Sequence, residues 1–174
     1  TFRGAVAKFA AAGQQGRKKD LGLMAMSYGN VFVGQISLGA NPLHAIKVIR
    51  AAESYRGPSL IIAFSHCIGW GIDMVKGMEY QKEAVACGYW PLYHYDPRDK
   101  EQPLHVDSRP PKGAFKDFAL KQARFAILSR SKPERAETLF QLGQEDINFR
   151  YALYDNLSSA LARAGAKPEG GDGQ

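Results

Sequence analysis

Apolar positions along this chain fall in short blocks rather than in alternation with polar ones. Ser59 to Phe64 (SLIIAF) is a run of strand length with no polar interruption, the pattern of a strand covered on both faces, as in a parallel sheet within an α/β domain. Gly57-Pro58 breaks the chain before it, and the polar pair His66-Cys67 follows it. Leu21 to Met26 (LGLMAM) is a second such run and ends in its own polar cluster, Ser27-Tyr28-Gly29-Asn30. Asn30 to Leu38 satisfies both the helical and the strand period and is read as a short helix. Asn41-Pro42 is a good cap and first-turn pair for a helix running to about Tyr55, with Leu43, Ile46 and Ile49 as its buried stripe. Leu21 to Phe64 then forms a strand, helix, parallel strand unit, and such crossovers are nearly always right-handed. On that expectation Ser27 to Asn30 and His66-Cys67 share one crest of the sheet.

Outside this unit the pattern predicts mostly helix. Gly4 to Ala12 is Ala-rich and helix-prone, stopped by Gly13, and a loop through Gln14 to Lys19 follows. A helix is expected from about Met78 to Cys87, ended by Gly88 as its C′ residue, with Cys87 structural in its last turn. Tyr89 to Tyr95 (YWPLYHY) has the aromatic content of a strand, and Pro91 favours an edge position. Asp96 to Lys112, rich in Pro, Asp and Arg, reads as a long loop. Ala114 to Arg130 places Phe118, Phe125 and Leu128 at helical spacing, and Ser131 with Glu134 makes a capping box for a helix to about Leu142. A last helix, about Glu145 to Arg163, carries Ile147, Tyr151 and Tyr154 on one side, and the tail from Gly165 to Gln174 is expected to be disordered. There is no internal repeat.

Composition bounds the class. The 174 residues suit one domain, and 45% hydrophobic content is enough for a real core. No apolar run approaches the roughly 20 residues needed to span a bilayer, and the start, TFRGAVAKFA, has no signal-peptide core and no initiator Met, so a soluble piece of a longer or processed chain is expected. Two cysteines, Cys67 and Cys87, make no disulfide framework and fit a reducing, cytoplasmic compartment. The net charge of +6 is spread widely except at Arg17-Lys18-Lys19, and without a basic-aromatic motif it argues against nucleic acid and for an acidic protein partner.

The candidate chemistry centres on Cys67, since ligands of open α/β sheets sit beyond the carboxyl ends of the strands. A lone Cys after a core strand is more often packing. His66 adjoins it, but neighbours on an extended chain point to opposite faces and do not readily pair. His44, His94 and His105 fall in a helix start, an aromatic strand and a loop, with nothing to place one beside Cys67. No CxxC zinc spacing is present, while a single Cys could complete a four-thiolate iron-sulfur cluster whose other ligands lie elsewhere. Gly69 and Gly71 give a flexible approach in which backbone N–H groups can face a ligand.

The runs KKDLGLMAMSYGNVFVGQISLGAN, AAESYRGPSLIIAFSHCI, KGMEYQKEAVACGYWPLYHYDP and QARFAIL resemble the C-terminal part of the thiamine-diphosphate-binding domain of the pyruvate:ferredoxin (flavodoxin) oxidoreductases, from Thr1 to about Leu161. The resemblance implies an α/β fold, a parallel sheet flanked by helices with a helical C-terminal region: 1–95 as the second part of the cofactor domain, 96–164 as its loop and C-terminal helices, 165–174 as tail. It implies oxidative decarboxylation of pyruvate with coenzyme A to acetyl-CoA and CO2, electrons passing through 4Fe-4S clusters to ferredoxin or flavodoxin, in a cytoplasmic homodimer. The cofactors implied are thiamine diphosphate, Mg²⁺ and 4Fe-4S clusters. Cys67 is the implied ligand of the cluster nearest the thiamine, its three partner cysteines lying upstream, and Ser27, Tyr28, Gly29 and Asn30 are candidates to line the thiamine pocket. The family's GDG motif, which holds Mg²⁺ and diphosphate, is expected immediately before Thr1, so the chain alone is expected to be inactive. Two alternatives stay open: a structural or dimerisation module with Cys67 as packing, and a related enzyme acting on another 2-oxoacid such as 2-oxoglutarate.

Overall fold

The computed structural model describes residues 1–166. Its centre is a short strand, β1 (Phe32–Ile36), all five residues of which are buried. It pairs in parallel with β2 (Ser59–Ala63), Phe32 facing Ser59 and Ile36 facing Ala63, through the helix α2 (Pro42–Ser54). On its other side β1 pairs antiparallel with β3 (Tyr93–Tyr95), which forms a second antiparallel pair with β4 (Leu104–Val106). The strand order is therefore β2-β1-β3-β4, a mixed sheet built around one parallel crossover.

The expected α/β class and crossover stand, but the first strand of the crossover differs from the sequence reading. Leu21–Met26 is a helix, α1, whose N-terminus Asp20 caps through a side-chain bond from the Leu23 amide at 3.0 Å. Leu, Met and Ala are strong helix formers, and once Asp20 supplies a cap the six residues have no β-branched side chain to favour a strand. Asn30 to Leu38, read as a helix, contains β1 instead, since Val31, Phe32, Val33 and Ile36 are the residue types that suit a pleated, enclosed surface.

Packing across β1 decides what α2 buries. Asn41 caps α2 as expected, accepting from the His44 amide at 3.0 Å, with Pro42 in the first turn. The stripe facing the sheet, however, is Ala45, Val48 and Ala52, packed with Phe32 and Ile36. Leu43, Ile46 and Ile49 point away and are 71%, 51% and 46% exposed. The reason is space: a Cβ on Gly34 would come within 2.3 Å of the Val48 side chain, so the helix lies directly on the strand and only small residues fit between them.

The other face of the sheet receives α6 (Pro133–Gly165). Val33, Tyr93, Leu104 and Tyr154 form one buried group with Met26, and the Tyr154 hydroxyl donates to the Asp20 carboxylate, tying α6 to α1. The two helices expected after Ser131 are this single 33-residue helix. Its start is not a capping box, for Lys132 holds the cap position without a side-chain bond and Ser131 Oγ donates back to the Ile127 carbonyl. Gly143 does not break it because Phe115 packs against the bare backbone there. Ile147 and Tyr154 are buried as expected, and Tyr151 is half-buried.

Other elements depart from expectation for similar tertiary reasons. Residues 4–12 form turns, with an isolated bridge between Ala7 and Ala10, because Phe2 and Ala5 plug the main core and Gly4 turns the chain at a positive φ. Helix α3 (Gly77–Ala86) ends at Cys87 and Gly88 as expected, with Gly88 at φ 76°. Tyr93–Tyr95 lies inside the sheet rather than at its edge, and Pro91 precedes the strand, where its carbonyl accepts from the buried Gln35 amide at 2.7 Å. The expected loop from Asp96 to Lys112 contains β4. The stretch from Ala114 to Arg130 is two helices, α4 (Phe115–Leu120) and α5 (Ala123–Ser131), since Gln122 is extended between them, and Phe118, Phe125 and Leu128 are buried in the main core. Gly165 closes α6, and residues 167–174 of the expected tail lie outside the described residues. Among the described residues no helix is long and apolar enough to cross a membrane.

The close approach of α2 to β1 gives a direct test. Urea unfolding of the chain is expected to show Gly34→Ala destabilising by about 1–3 kcal/mol through overpacking, whereas Leu43→Ala, on the outer stripe, changes stability by less than about 0.5 kcal/mol. Equal effects would mean that α2 does not lie on Gly34.

Candidate functional site

Beyond the carboxyl ends of β1 and β2 the two strands deliver different groups. β1 runs on into Ser37 and Gly39, and β2 into Phe64, Ser65, His66 and Cys67. Ser27, Tyr28, Gly29 and Asn30 precede β1 and so stand at its amino end. Because β1 and β2 are parallel and five residues long, that end lies on the order of 15 Å from the Cys67 end. The structure does not bring Ser27–Asn30 and His66-Cys67 to one crest; the expectation failed because it took Leu21–Met26, not Phe32–Ile36, as the partner of β2.

One buried side chain that the sequence reading passed over knits the carboxyl end together. Gln81, on α3, is 4% exposed. Its Oε1 accepts from the Ser37 hydroxyl and from the Gly39 amide, each at 2.8 Å, and its Nε2 lies 2.9 Å from His66 Nδ1. With both donors on Oε1, Nε2 must be the donor to His66, which leaves the imidazole proton on its Nε2. A glutamine on the inner side of a helix otherwise patterned for packing was the one available signal.

His66 is thereby turned toward α3, away from the adjacent thiol. Cys67 is exposed and caps the short 3-10 turn Ile68–Trp70, its Sγ accepting from the Gly69 amide at 3.3 Å. Gly71 ends that turn at φ 67°, and a Cβ there would strike Ala123 at 2.3 Å, so both its backbone and its packing require glycine. The turn is therefore held in place rather than being the flexible approach expected, and the Gly69 N–H is given to the Cys67 sulfur.

Cys67 stands on the wall of an open cleft of about 260 Å³. Phe64, Trp70, Tyr89 and Trp90 give it an aromatic floor, with Phe64 and Trp90 rings 5.2 Å apart and the Trp90 indole N–H donating to the Ile36 carbonyl at 3.0 Å. Lys18 lies 5.4 Å from the Trp90 ring centroid at the mouth; burial of its ammonium, together with the nearby Arg150 charge, lowers its pKa even though much of the residue faces solvent. Gln122, 6% exposed, lines the cleft and has a buried Nε2 without a hydrogen-bond partner.

The fit to an iron-sulfur cluster follows from the donor set. A 4Fe-4S cluster takes four thiolates. Cys67 offers one exposed sulfur with an N–H already on it. Cys87 offers none, because it is 5% exposed, burial raises its pKa, and its thiol donates to the Ala84 carbonyl at 3.6 Å. The cleft thus fits as one corner of a shared cluster. No carboxylate lines it, so its residues do not match a Mg²⁺ site.

This contrast between the thiols is measurable. Under native conditions iodoacetamide should alkylate Cys67 and leave Cys87 unmodified until denaturant is added, with peptide mass spectrometry reading the two sites. Equal native labelling of both would contradict the burial of Cys87.

No protein-family model matches the chain. Curated proteins do. It is 50% identical over 161 residues, 91% of the chain, to a Synechocystis protein bearing a pyruvate-flavodoxin oxidoreductase name. It is 45% identical over 162 residues to the pyruvate-flavodoxin oxidoreductase of Nostoc and 44% identical over 161 residues to the pyruvate:ferredoxin oxidoreductase of Moorella thermoacetica, each over 91% of the chain. These alignments take in 13%, 14% and 14% of the relatives' lengths. An α/β crossover ending in an exposed thiol, and identity of this order over nine-tenths of its residues, agree: the chain belongs to the family of pyruvate:flavodoxin and pyruvate:ferredoxin oxidoreductases, spanning about 13% of the length of those relatives.

Proposed function

We propose that this chain is the part of a pyruvate:ferredoxin or pyruvate:flavodoxin oxidoreductase that brings one thiolate, Cys67, to a 4Fe-4S cluster beside the catalytic centre. The observation that carries the reading is the Cys67 sulfur itself: exposed, on a fixed turn beyond a parallel strand, with the Gly69 amide donating to it. Hydrogen bonds to cluster sulfurs are among the means by which a protein sets a cluster's potential. The parent reaction is oxidative decarboxylation of pyruvate with coenzyme A to acetyl-CoA and CO2, the electrons leaving through clusters to ferredoxin or flavodoxin.

Thiamine diphosphate with Mg²⁺ supplies, when bound, a nucleophilic carbon for the 2-oxo group and an electron sink for decarboxylation. Its diphosphate and metal are held by residues of the complete polypeptide outside this chain. What this chain contributes is enclosure by Phe64, Trp70, Tyr89 and Trp90, a His66 held by Gln81, and the electron acceptor's ligand at close range. Ser27–Asn30 stand at the other end of β1 from Cys67, and a place for them in the thiamine pocket would be made with residues of the complete polypeptide.

A second reading, a packing or dimerisation module with an inert Cys67, draws on the exposed outer stripe of α2, Leu43, Ile46 and Ile49. The cysteine separates the two. In the complete enzyme, Cys67→Ala should lower pyruvate-dependent ferredoxin reduction, iron content and the cluster's paramagnetic resonance signal together, while Cys87→Ala costs packing alone, about 1 kcal/mol. Full cluster content and electron transfer in Cys67→Ala would end the ligand assignment. The chain by itself should show no magnesium-dependent thiamine diphosphate binding in calorimetry, and micromolar affinity would overturn that.

A further inference from the structure

On the α2 face of the sheet, at residues that do not line the Cys67 cleft, three elements aim donor atoms at one point. His44 stands in the first turn of α2, which Asn41 caps. His94 is the middle residue of β3, paired with Gly34 on one side and His105 on the other. Asp107 follows β4, its amide donating to the Leu92 carbonyl at 2.8 Å. His44 Nε2 is 2.9 Å and His94 Nδ1 2.7 Å from the same oxygen, Asp107 Oδ2. The three ligand atoms all lie within 4.8 Å of one another. We propose that His44, His94 and Asp107 form a binding site for a divalent transition metal of the zinc class.

Two of the three ligand spacings need only a small adjustment, and the third, between His44 Nε2 and His94 Nδ1, lies within 4.8 Å. Zinc takes imidazole nitrogen and carboxylate oxygen at about 2.0–2.2 Å, which in a tetrahedron sets ligand atoms about 3.3 Å apart. The present spacings of 2.7 and 2.9 Å are those of a carboxylate accepting two N–H bonds, so a metal entering the point of convergence has to spread them by about half an ångström. The side chains are 10%, 27% and 21% exposed, enclosed enough to be held yet open enough for an ion to enter with water as its fourth ligand.

Two further features suit the assignment. His94 stacks on His105, ring centroids 4.7 Å apart and planes at 10°, and His105 Nε2 lies 3.3 Å from Asp99 Oδ2, which fixes the orientation of the His94 ring. His44 Nε2 gives its N–H to Asp107, while His44 Nδ1 is buried without a partner, so a metal entering at Nε2 takes that nitrogen's lone pair as the imidazole proton passes to Nδ1. The adjoining cleft carries Lys82, Arg109 and Lys112. That positive surround disfavours Ca²⁺ or Mg²⁺, which rely on charge and oxygen ligands, more than a metal held by two imidazoles.

The test uses the complete polypeptide that contains this chain. The holoenzyme is equilibrated with zinc sulfate, passed through a desalting column, and its zinc and iron are measured together. Wild type is expected to retain zinc stoichiometrically, and zinc-edge X-ray absorption should show imidazole and oxygen ligands without sulfur. His94→Gln and Asp107→Asn should each weaken zinc binding by more than about tenfold, the loss of a ligand costing at least as much as loss of the partner behind one. Circular dichroism and iron content matching wild type show that the variants are folded. No retained zinc in the wild type, sulfur in the zinc shell, or equal retention by folded variants would each overturn the site. The wild-type absorption spectrum decides the ligand set even if a variant misfolds. Because the readout is zinc and not turnover, its failure would leave the Cys67 assignment untouched.

Discussion

Everything in this structure rests on a strand with nothing exposed. All five residues of β1 are buried, with α2 on one face, α6 and α1 on the other, and β2 and β3 along its edges. A strand so enclosed can satisfy its backbone only through its neighbours, so both pairings must form together. Gly34 sets the tightest limit: it removes the side chain that would hold α2 away, and the helix answers with Ala45, Val48 and Ala52. The larger Leu43, Ile46 and Ile49 are thereby left outside.

From that constraint the carboxyl end of the sheet inherits its order. The parallel register carries Ser37 and Gly39 to the same level as the residues after β2, and Gln81 joins the two with one amide. A neutral amide is well suited to this place. It bonds a hydroxyl, a backbone N–H and an imidazole without the desolvation cost that a buried carboxylate would bring. His66 is thus committed to the scaffold, and the Cys67 sulfur alone is left facing outward. The same environment rule makes Cys87 inert, since burial holds its thiol protonated.

The sheet also separates two kinds of ligand chemistry. The soft thiol stands beyond the strand ends, where open α/β folds receive cofactors. The imidazoles and the carboxylate stand on the α2 face, positioned by a helix cap, a strand register and a hairpin. Rigid elements supply each donor in both places, as close placement of ligand atoms requires.

Much of this was legible from residues alone. Gly57-Pro58 and the unbroken run after it marked β2, Asn41-Pro42 marked the start of α2, and Gly88 marked the end of α3, because caps, breakers and apolar runs act locally and each carries its own physical signature. The sequence also singled out Cys67 and dismissed Cys87, on position relative to those elements. It misassigned the two segments on either side of Ser27–Asn30, since six apolar residues satisfy both periods and only Asp20 capping α1 and two neighbours pairing with β1 resolve them. It also chose the wrong stripe of α2, because hydrophobicity ranks Ile and Leu above Ala while the gap over Gly34 admits only the smaller residues. Gln81 beside His66, and His44, His94 and Asp107 around one oxygen, were beyond its reach altogether. Their separations of 15, 50 and 13 positions are closed by strand pairing and helix docking, so tertiary structure alone decided that these side chains meet.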